Sequence, residues 1–485
     1  AFYRMCGISV GCVHSQMAPE ERRDNYAQEV TYTTSKEILA DFLRDRLHLG
    51  SLSHPSRRLL HRCTKGQGPL CEQTVMRGLY TVIVDEADSV LIDEAVTPLI
   101  ISAPSSNQPL LEVMPTAHDI AGNLHRDVHY TVDRKLGEIR ITSRGETEIA
   151  RHTQRLPGIW KGEARRLEIL RQVLTARELY ACDQQYVVQE GQVVIVDEFT
   201  GRCMPNRTWS HGLHQAVEVK EGLEPSDPTV TQARLSFQRF FRLYTNLSGM
   251  TGTAREAGQE MWHIYGLPLL RVPTNRPCVR TCLPDRFFAR ETDKWQSVVQ
   301  SILKVHASGR PVLVGTRNVH RSEALARELR SQGVPLQVLN AVRDAEEASI
   351  IARAGQENSV TIATNMAGRG TDIKLGNEIA KLGGLHVIAT ERHESGRIDR
   401  QLFGRCARQG DPGSVQAFVS LEDDILTRFA PSPLRRQIAA MVEHNLPGHR
   451  LLATAVVKLA QQGAERLAAK RRQSVLQADT WFEQS

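Results

Sequence analysis

Four short apolar runs constrain the fold of this chain more than any other feature: PVLVGT (311–316), LQVLNA (336–341), SVTIAT (359–364) and LHVIAT (385–390). Each has strand length and is mostly apolar, and helical or loop sequence separates it from the next. A strand buried on both faces reads as such a continuous run, and strands alternating with helices build a parallel, doubly wound sheet. A second region of the same style lies near the start. Val30 to Thr34 is strand-like, and Lys36 to Leu49 has helical spacing through Ile38, Leu39, Phe42, Leu43 and Leu47. Tyr80 to Val84 (YTVIV) reads as a buried parallel strand, as does GQVVIVDE (191–198). The fold class is α/β.

Composition sets outer limits. A length of 485 residues corresponds to about three domains. No stretch approaches the ~20 uninterrupted apolar residues of a membrane-spanning helix, which excludes an integral helical membrane protein. The net charge of +6 is mild for this length. It does not demand nucleic acid, and it permits an anionic partner or a lipid surface. The nine cysteines (Cys6, Cys12, Cys63, Cys71, Cys182, Cys203, Cys278, Cys282 and Cys406) are odd in number and scattered, which points to a reducing compartment. His61, Cys63 and Cys71 offer three metal ligands without a fourth, and their spacing fits no zinc pattern, so no zinc site is expected.

Shifts in character divide the chain. Residues 1–102 are α/β and are read as the first part of one nucleotide-binding domain. Residues 103–188 open on loop chemistry (Pro104, Ser105, Ser106, Asn107, Pro109) and continue with strand candidates Val128–Val132 and Glu138–Thr142 and a helix over Gly162–Leu179, like an inserted α+β domain. Residues 189–267 return to the first domain. A proline-marked linker leads into a second α/β domain over 268–430. A helical segment fills 431–485, with Leu452, Val456, Leu459, Gly463, Leu467, Val475, Ala478 and Phe482 approximating one face.

Three motifs carry chemistry. Asp85-Glu86-Ala87-Asp88 follows YTVIV directly, and adjacent carboxylates at a strand's carboxyl end suit a magnesium–nucleotide site. Asp85 would hold Mg²⁺ largely through its waters, and Glu86 would polarise the attacking water. TIATNMAGRGTD (361–372) places Gly368 and Gly370 where backbone can approach a phosphate, Arg369 as a charge, and Asp372 where it can accept from ribose hydroxyls. In RIDRQLFGRCAR (397–408), helical spacing would align Arg397, Gln401, Arg405 and Arg408 in one stripe suited to a γ-phosphate. Between them, LSGMTGT (247–253) reads as a turn or hinge. No G-x-x-x-x-G-K-[ST] occurs, and the chain opens on Ala1, so the phosphate-cradling loop is expected upstream of the residues given.

The ordered set VDEADSVLIDEAVTPLIIS, VVIVDEFTGRCMPNRTWSHGLHQAVEVKEG, FFRLYTNLSGMTGTA, VPTNRP, TIATNMAGRGTDI and GGLHVIATERHESGRIDRQLFGRCARQGD resembles SecA, the bacterial ATPase that drives preproteins through the Sec channel. The resemblance runs from about residue 8 to about residue 430. It implies two RecA-like, helicase-like P-loop NTPase motor domains, a preprotein-crosslinking domain inserted in the first, and the start of a helical scaffold at 431–485. It also implies ATP and Mg²⁺ at Asp85 and Glu86, finger arginines Arg405 and Arg408, nucleotide contacts at Asp372 and Arg369, and a gating salt bridge between Asp93 and Arg397. The partners so implied are unfolded preproteins, the Sec membrane channel and acidic phospholipid, with a homodimer among the assemblies and no nucleic acid. The implied location is the cytoplasmic side of the inner membrane. Phe403 stands where the family usually has arginine, Val96 replaces the arginine of DEARTP, and Cys406-Ala407 replaces Ser-Gly. A non-hydrolysing paralogue that binds preprotein or channel is the alternative reading, and a nucleic-acid helicase the more distant one.

Overall fold

The computed structural model describes residues 2–53, 56–57, 60, 63–64, 74–133, 138–182, 185–196, 203–204, 207–317, 319–339, 350–364 and 372–481. The chain folds into two compact units, one formed by Ala1–Ile101 with Gln232–Ser485 and the other by Ser102–Thr231.

In the first unit, all four apolar runs become strands of one parallel sheet. Its spatial order is Arg280–Cys282, Gly413–Ser420, Leu385–Ala389, Val312–Thr316, Val360–Thr364, Gln337–Leu339, with Arg286–Phe288 also paired to Gly413–Ser420. The period of two sends alternate side chains of each run to opposite faces, and both faces are apolar cores. Leu313, Val387 and Ala389 face a core shared with Leu402, Val456 and Ala460, while Val312, Val314 and Ile388 face another with Val298, Ile302 and Leu325. Helices Glu291–His306 and Val319–Ser331 supply that second layer. Both faces are covered, as a doubly wound sheet requires.

The earlier part of this unit is thinner. Thr81–Asp85 pairs in parallel with Asn246–Met250, and Val10–Cys12 with Val30–Tyr32. YTVIV is therefore a parallel strand, but it is not buried along its length. Only Val84 is buried, whereas Tyr80 and Ile83 are 71% and 62% exposed. Among the described residues the strand has one partner and one covered face. Val84 and the half-buried Val82 meet Leu39, Leu43, Leu91 and Phe240 there, and Ile83 points the other way.

The second unit runs to Thr231 and not to 188, and GQVVIVDE explains the difference. Glu190 and Gly191 both adopt left-handed backbone, with φ of 51° and 76°. Two such residues make a tight hairpin turn, which returns the chain antiparallel. Gln192–Val196 is accordingly the middle strand of an antiparallel sheet with Tyr186–Gln189 and Cys203–Met204, and not a parallel strand of the first unit. The helix Leu213–Lys220 follows and packs Leu213, Ala216 and Val217 into this unit's own core with Met114, Leu170 and Val173. A second hairpin pairs Tyr130–Asp133 with Glu138–Ile141.

The C-terminal segment forms helices Ser432–Glu443 and His449–Trp481. The second is about 50 Å long. Its buried stripe is Ala453, Val456, Val457, Ala460 and Ala464, whereas Leu452, Leu459 and Leu467 of the expected face are 45%, 57% and 38% exposed. Small side chains let the helix approach closely, and Gly463 sits against Phe429, so fit outweighs hydrophobicity in choosing the face. Phe482 lies outside the described residues. Farther along, Arg472 forks onto Glu260 at 2.6 and 2.8 Å and the Asp479 carboxylate accepts the Ser236 N–H at 2.5 Å. One helix thus spans both halves of the first unit.

Candidate functional site

The site begins where Thr81–Asp85 ends. Glu86 turns the chain sharply with φ of 49°, a region that a non-glycine residue occupies only when its surroundings enforce it. Its N–H donates to Asp85 Oδ1 at 2.9 Å. The turn sits tightly on the neighbouring strand, because a Cβ at Gly249 would meet Ala87 Cβ and the Val84 carbonyl oxygen at 2.8 Å.

Asp88 is the hub of the site. It is fully buried and accepts four hydrogen bonds: from Thr251 Oγ1 and Thr253 Oγ1 at 2.7 Å each, from Arg397 Nη1 at 2.8 Å and from Gln401 Nε2 at 3.0 Å. Burial pushes its carboxyl up, but the two threonine hydroxyls and the Arg397 guanidinium together outweigh that and hold it below the usual range. Arg397, itself 4% exposed, also donates to Asp93, through Nη1 at 2.9 Å and through Nη2. Burial disfavours its charge, and the bonds to Asp93 and Asp88 more than restore it.

These cations come from the helix Gly396–Phe403, capped by the Ser395 hydroxyl, which accepts the Arg397 N–H. Arg397, Arg400 and Gln401 are three or four residues apart and so share a face. Arg400 donates to Glu256 and to the Thr253 carbonyl, and Gln401 to Thr253 Oγ1 at 3.2 Å. A cavity of about 430 Å³ opens beside them, with Asp85, Glu86 and Thr253 on one wall and Thr364, Arg400, Gln401, Arg405 and Arg408 on the other.

The structure thus brings Asp85, Glu86, Arg405 and Arg408 to one cavity. Asp372 joins them by a 2.9 Å ion pair with Arg408. Gly368, Arg369 and Gly370 lie outside the described residues. One expectation changes. The helix ends at Gly404, and Ala407 and Gln409 are left-handed, so Arg397, Gln401, Arg405 and Arg408 are not one helical stripe. Arg397 turns inward to Asp88 and Asp93, while Arg405 and Arg408 reach the cavity from the following turns. The Asp93–Arg397 pair joins two segments of the first unit, its arginine buried and its aspartate side chain 37% exposed. Asp88, Thr251 and Thr253 carry the arrangement: from sequence Asp88 has no separate role and 247–253 reads as a turn or hinge, and the two threonine hydroxyls of that segment are what hold Asp88. Their signal was the hydroxyl pair at 251 and 253, spaced to reach one acceptor.

The donor set fits Mg²⁺. Asp85 and Glu86 are hard oxygen donors at a cavity wall, the kind of site where that ion keeps most of its waters. Among the described residues no group of three or more His, Cys, Asp and Glu is gathered to hold a metal. Cys63 is exposed, and His61 and Cys71 lie outside those residues.

Comparison with known proteins groups the same segments. A family profile described as "SecA DEAD-like domain" matches residues 1–262, and one described as "SecA P-loop domain" matches 277–380 and 376–445. The chain is 47% identical over 484 residues to Protein translocase subunit SecA 2 of Chlorobium chlorochromatii, covering 99% of this chain and 73% of that one. It is 45% identical over 481 residues to a SecA 2 subunit of Magnetococcus marinus, covering 99% and 74%. It is 44% identical over 442 residues to Protein translocase subunit SecA of Oleidesulfovibrio alaskensis, covering 91% and 48%.

Proposed function

The chain belongs to the SecA family of protein translocase subunits, ATP-driven motors of preprotein translocation, and from that membership we propose how its residues divide the work. One observation carries the reading: Arg397 and Gln401 from one half of the first unit close on Asp88 from the other, beside a cavity holding Asp85, Glu86, Arg405 and Arg408. Two halves meeting through a buried ionic hub can be opened and closed by a ligand bound between them.

In this proposal ATP occupies the cavity with its terminal phosphate between the two walls. Glu86 accepts a proton from the attacking water, and its turned backbone keeps the carboxylate at the wall. Asp85 holds Mg²⁺ through its waters, and that ion, when bound, neutralises phosphate charge. Arg405 and Arg408 stabilise the charge on the transferring phosphoryl group, and Asp372, released by Arg408, turns to the nucleotide together with Gly368, Arg369 and Gly370. Asp93 and Arg397 form the gate. The unit Ser102–Thr231 is the preprotein-contacting insertion, and 431–485 begins a scaffold. Unfolded preproteins and the Sec channel are the partners, acidic phospholipid the surface and a homodimer the assembly. The proposed location is the periphery of the cytoplasmic face of the membrane. Among the described residues no helix is long and apolar enough to cross a membrane.

Glu86→Gln tests the catalytic assignment. ATP turnover is expected to fall by at least ~100-fold with nucleotide affinity kept. Unchanged hydrolysis would remove Glu86 from the role. Stimulation by an unfolded preprotein and not by RNA separates a translocase motor from a helicase.

A further inference from the structure

The turn that carries Arg405 and Arg408 also carries Cys406, whose side chain is 2% exposed. The Cys406 thiol is wedged against Gly413 and lies 3.4 Å from the Phe403 carbonyl. The strand Arg280–Cys282 runs alongside, with Arg280 opposite Gly413. Cys278, just ahead of that strand and exposed, places its Sγ 3.9 Å from the Ala407 carbonyl. Two residues on, Arg280 Nη2 reaches the Cys406 carbonyl at 3.4 Å. Cys278 and Arg280, from one segment, thus each contact a carbonyl of the Cys406–Ala407 backbone. We propose that Cys278 and Cys406 are a redox-switchable pair, which a low-molecular-weight disulfide converts into a protein disulfide that pins the Arg405–Arg408 turn to the strand.

The chemistry divides between an accessible and a buried sulfur. The Cys278 thiolate attacks the small disulfide. Its S–S bond breaks, a mixed disulfide forms on Cys278 and one small thiolate leaves. Cys406 then gives its proton to solvent and attacks the Cys278 sulfur, the new S–S bond forms and the second small thiolate leaves. Two protein thiols are oxidised and one small disulfide is reduced to two thiols. Burial pushes the Cys406 thiol up to about 11 against the pull of Arg280, so its attack is the slower step. A disulfide holds its Cα atoms about 4.4–6.8 Å apart. The segment is a turn and not a helix, with Ala407, Gln409 and Gly410 at φ of 57°, 54° and 84°, and the disulfide requires the two Cα atoms to meet that span.

The effect on hydrolysis rests on the reading of Arg405 and Arg408 given above, whereas the cross-link does not. The test treats the full chain with oxidised glutathione, maps disulfides by mass spectrometry and measures ATP hydrolysis before and after dithiothreitol. A Cys278–Cys406 peptide is expected, with a loss of hydrolysis of at least fivefold that reductant restores. Both effects should vanish in Cys406→Ser and independently in Cys278→Ser, so that one misfolded variant does not decide the matter. A stable mixed disulfide on Cys278 alone, or a Cys282–Cys406 link, would overturn the pairing. A cross-link formed with hydrolysis unchanged would overturn the switch. No hydrolysis by the reduced chain, with the cross-link present, would count against the ATPase reading and leave the pair standing.

Discussion

Asp88 and Arg397 are separated by 309 positions and joined by a 2.8 Å ion pair in which both side chains are buried. A buried pair is weak evidence of net stabilisation, since desolvation offsets most of the attraction, but removing one partner strands the other. Arg397→Ala takes the guanidinium away from the buried Asp88 and removes the fork on Asp93. It should cost about 3–5 kcal/mol of unfolding free energy, read from the urea midpoint. Arg397→Lys should recover less than half of that loss, because an ammonium cannot reproduce the fork that reaches Asp88 and Asp93 together. Full recovery by lysine would reduce the hub to simple charge.

Gly249 sets how closely the Asp85–Glu86 turn sits on its neighbouring strand. In Gly249→Ala the new methyl group would lie 2.8 Å from both Ala87 Cβ and the Val84 carbonyl oxygen, one of them backbone that cannot rotate away. Overpacking of this kind costs about 1–3 kcal/mol, and here the displaced atoms carry Glu86. Turnover should fall more steeply than nucleotide affinity. An equal fall in both would mean that the substitution disturbs the cavity generally.

What the sequence made legible follows from how local each signal was. PVLVGT, SVTIAT and LHVIAT announce buried parallel strands because burial on both faces favours apolar side chains at successive positions and leaves no alternation, and the structure buries Val312–Thr316, Val360–Thr364 and Leu385–Ala389 at each residue. GQVVIVDE looked the same but turned antiparallel, because direction was decided by Glu190 and Gly191 outside the apolar run. The expected face of His449–Trp481 holds at Val456 and Gly463 but not at Leu452, Leu459 and Leu467, for a related reason: alanines at 453, 460 and 464 bury by shape, which hydrophobicity does not report. Asp85 and Glu86 could be picked out from two adjacent carboxylates after a strand. Asp88's role could not, since its partners Thr251, Arg397 and Gln401 come from distant segments and only the fold brings them together.

Arg408 and Asp372 form a pair whose side chains are 38% and 51% exposed, and such pairs contribute less than about 1 kcal/mol to stability. Arg408→Ala should therefore leave the urea midpoint nearly unchanged. If Arg408 acts on the transferring phosphoryl group, the same substitution lowers turnover by about 10³-fold or more. A large shift in midpoint with little change in turnover would assign it a structural role.

His386 provides a pH test of the parallel sheet. It is 2% exposed, its Nδ1 lies 2.8 Å from Ser414 Oγ, and burial, aided by the Arg310 charge, pulls its imidazole down to about 4. The unfolded chain takes up a proton at this residue near pH 6.5, the folded one only near 4. Between those values unfolding binds the extra proton, so this contribution is complete above about pH 6.5 and is lost as pH falls towards 4. At 1.36 kcal/mol per pH unit, the loss from pH 6.5 to pH 5 is about 2 kcal/mol. Asp423 runs in the opposite sense across this range, since burial raises its carboxyl to about 7 against the pull of Lys294. The measurement is therefore the difference between wild type and His386→Gln at each pH, in which titrations elsewhere cancel. That difference should shrink by about 2 kcal/mol between pH 6.5 and pH 5. A difference constant across that range would mean that the imidazole is already solvated in the folded chain.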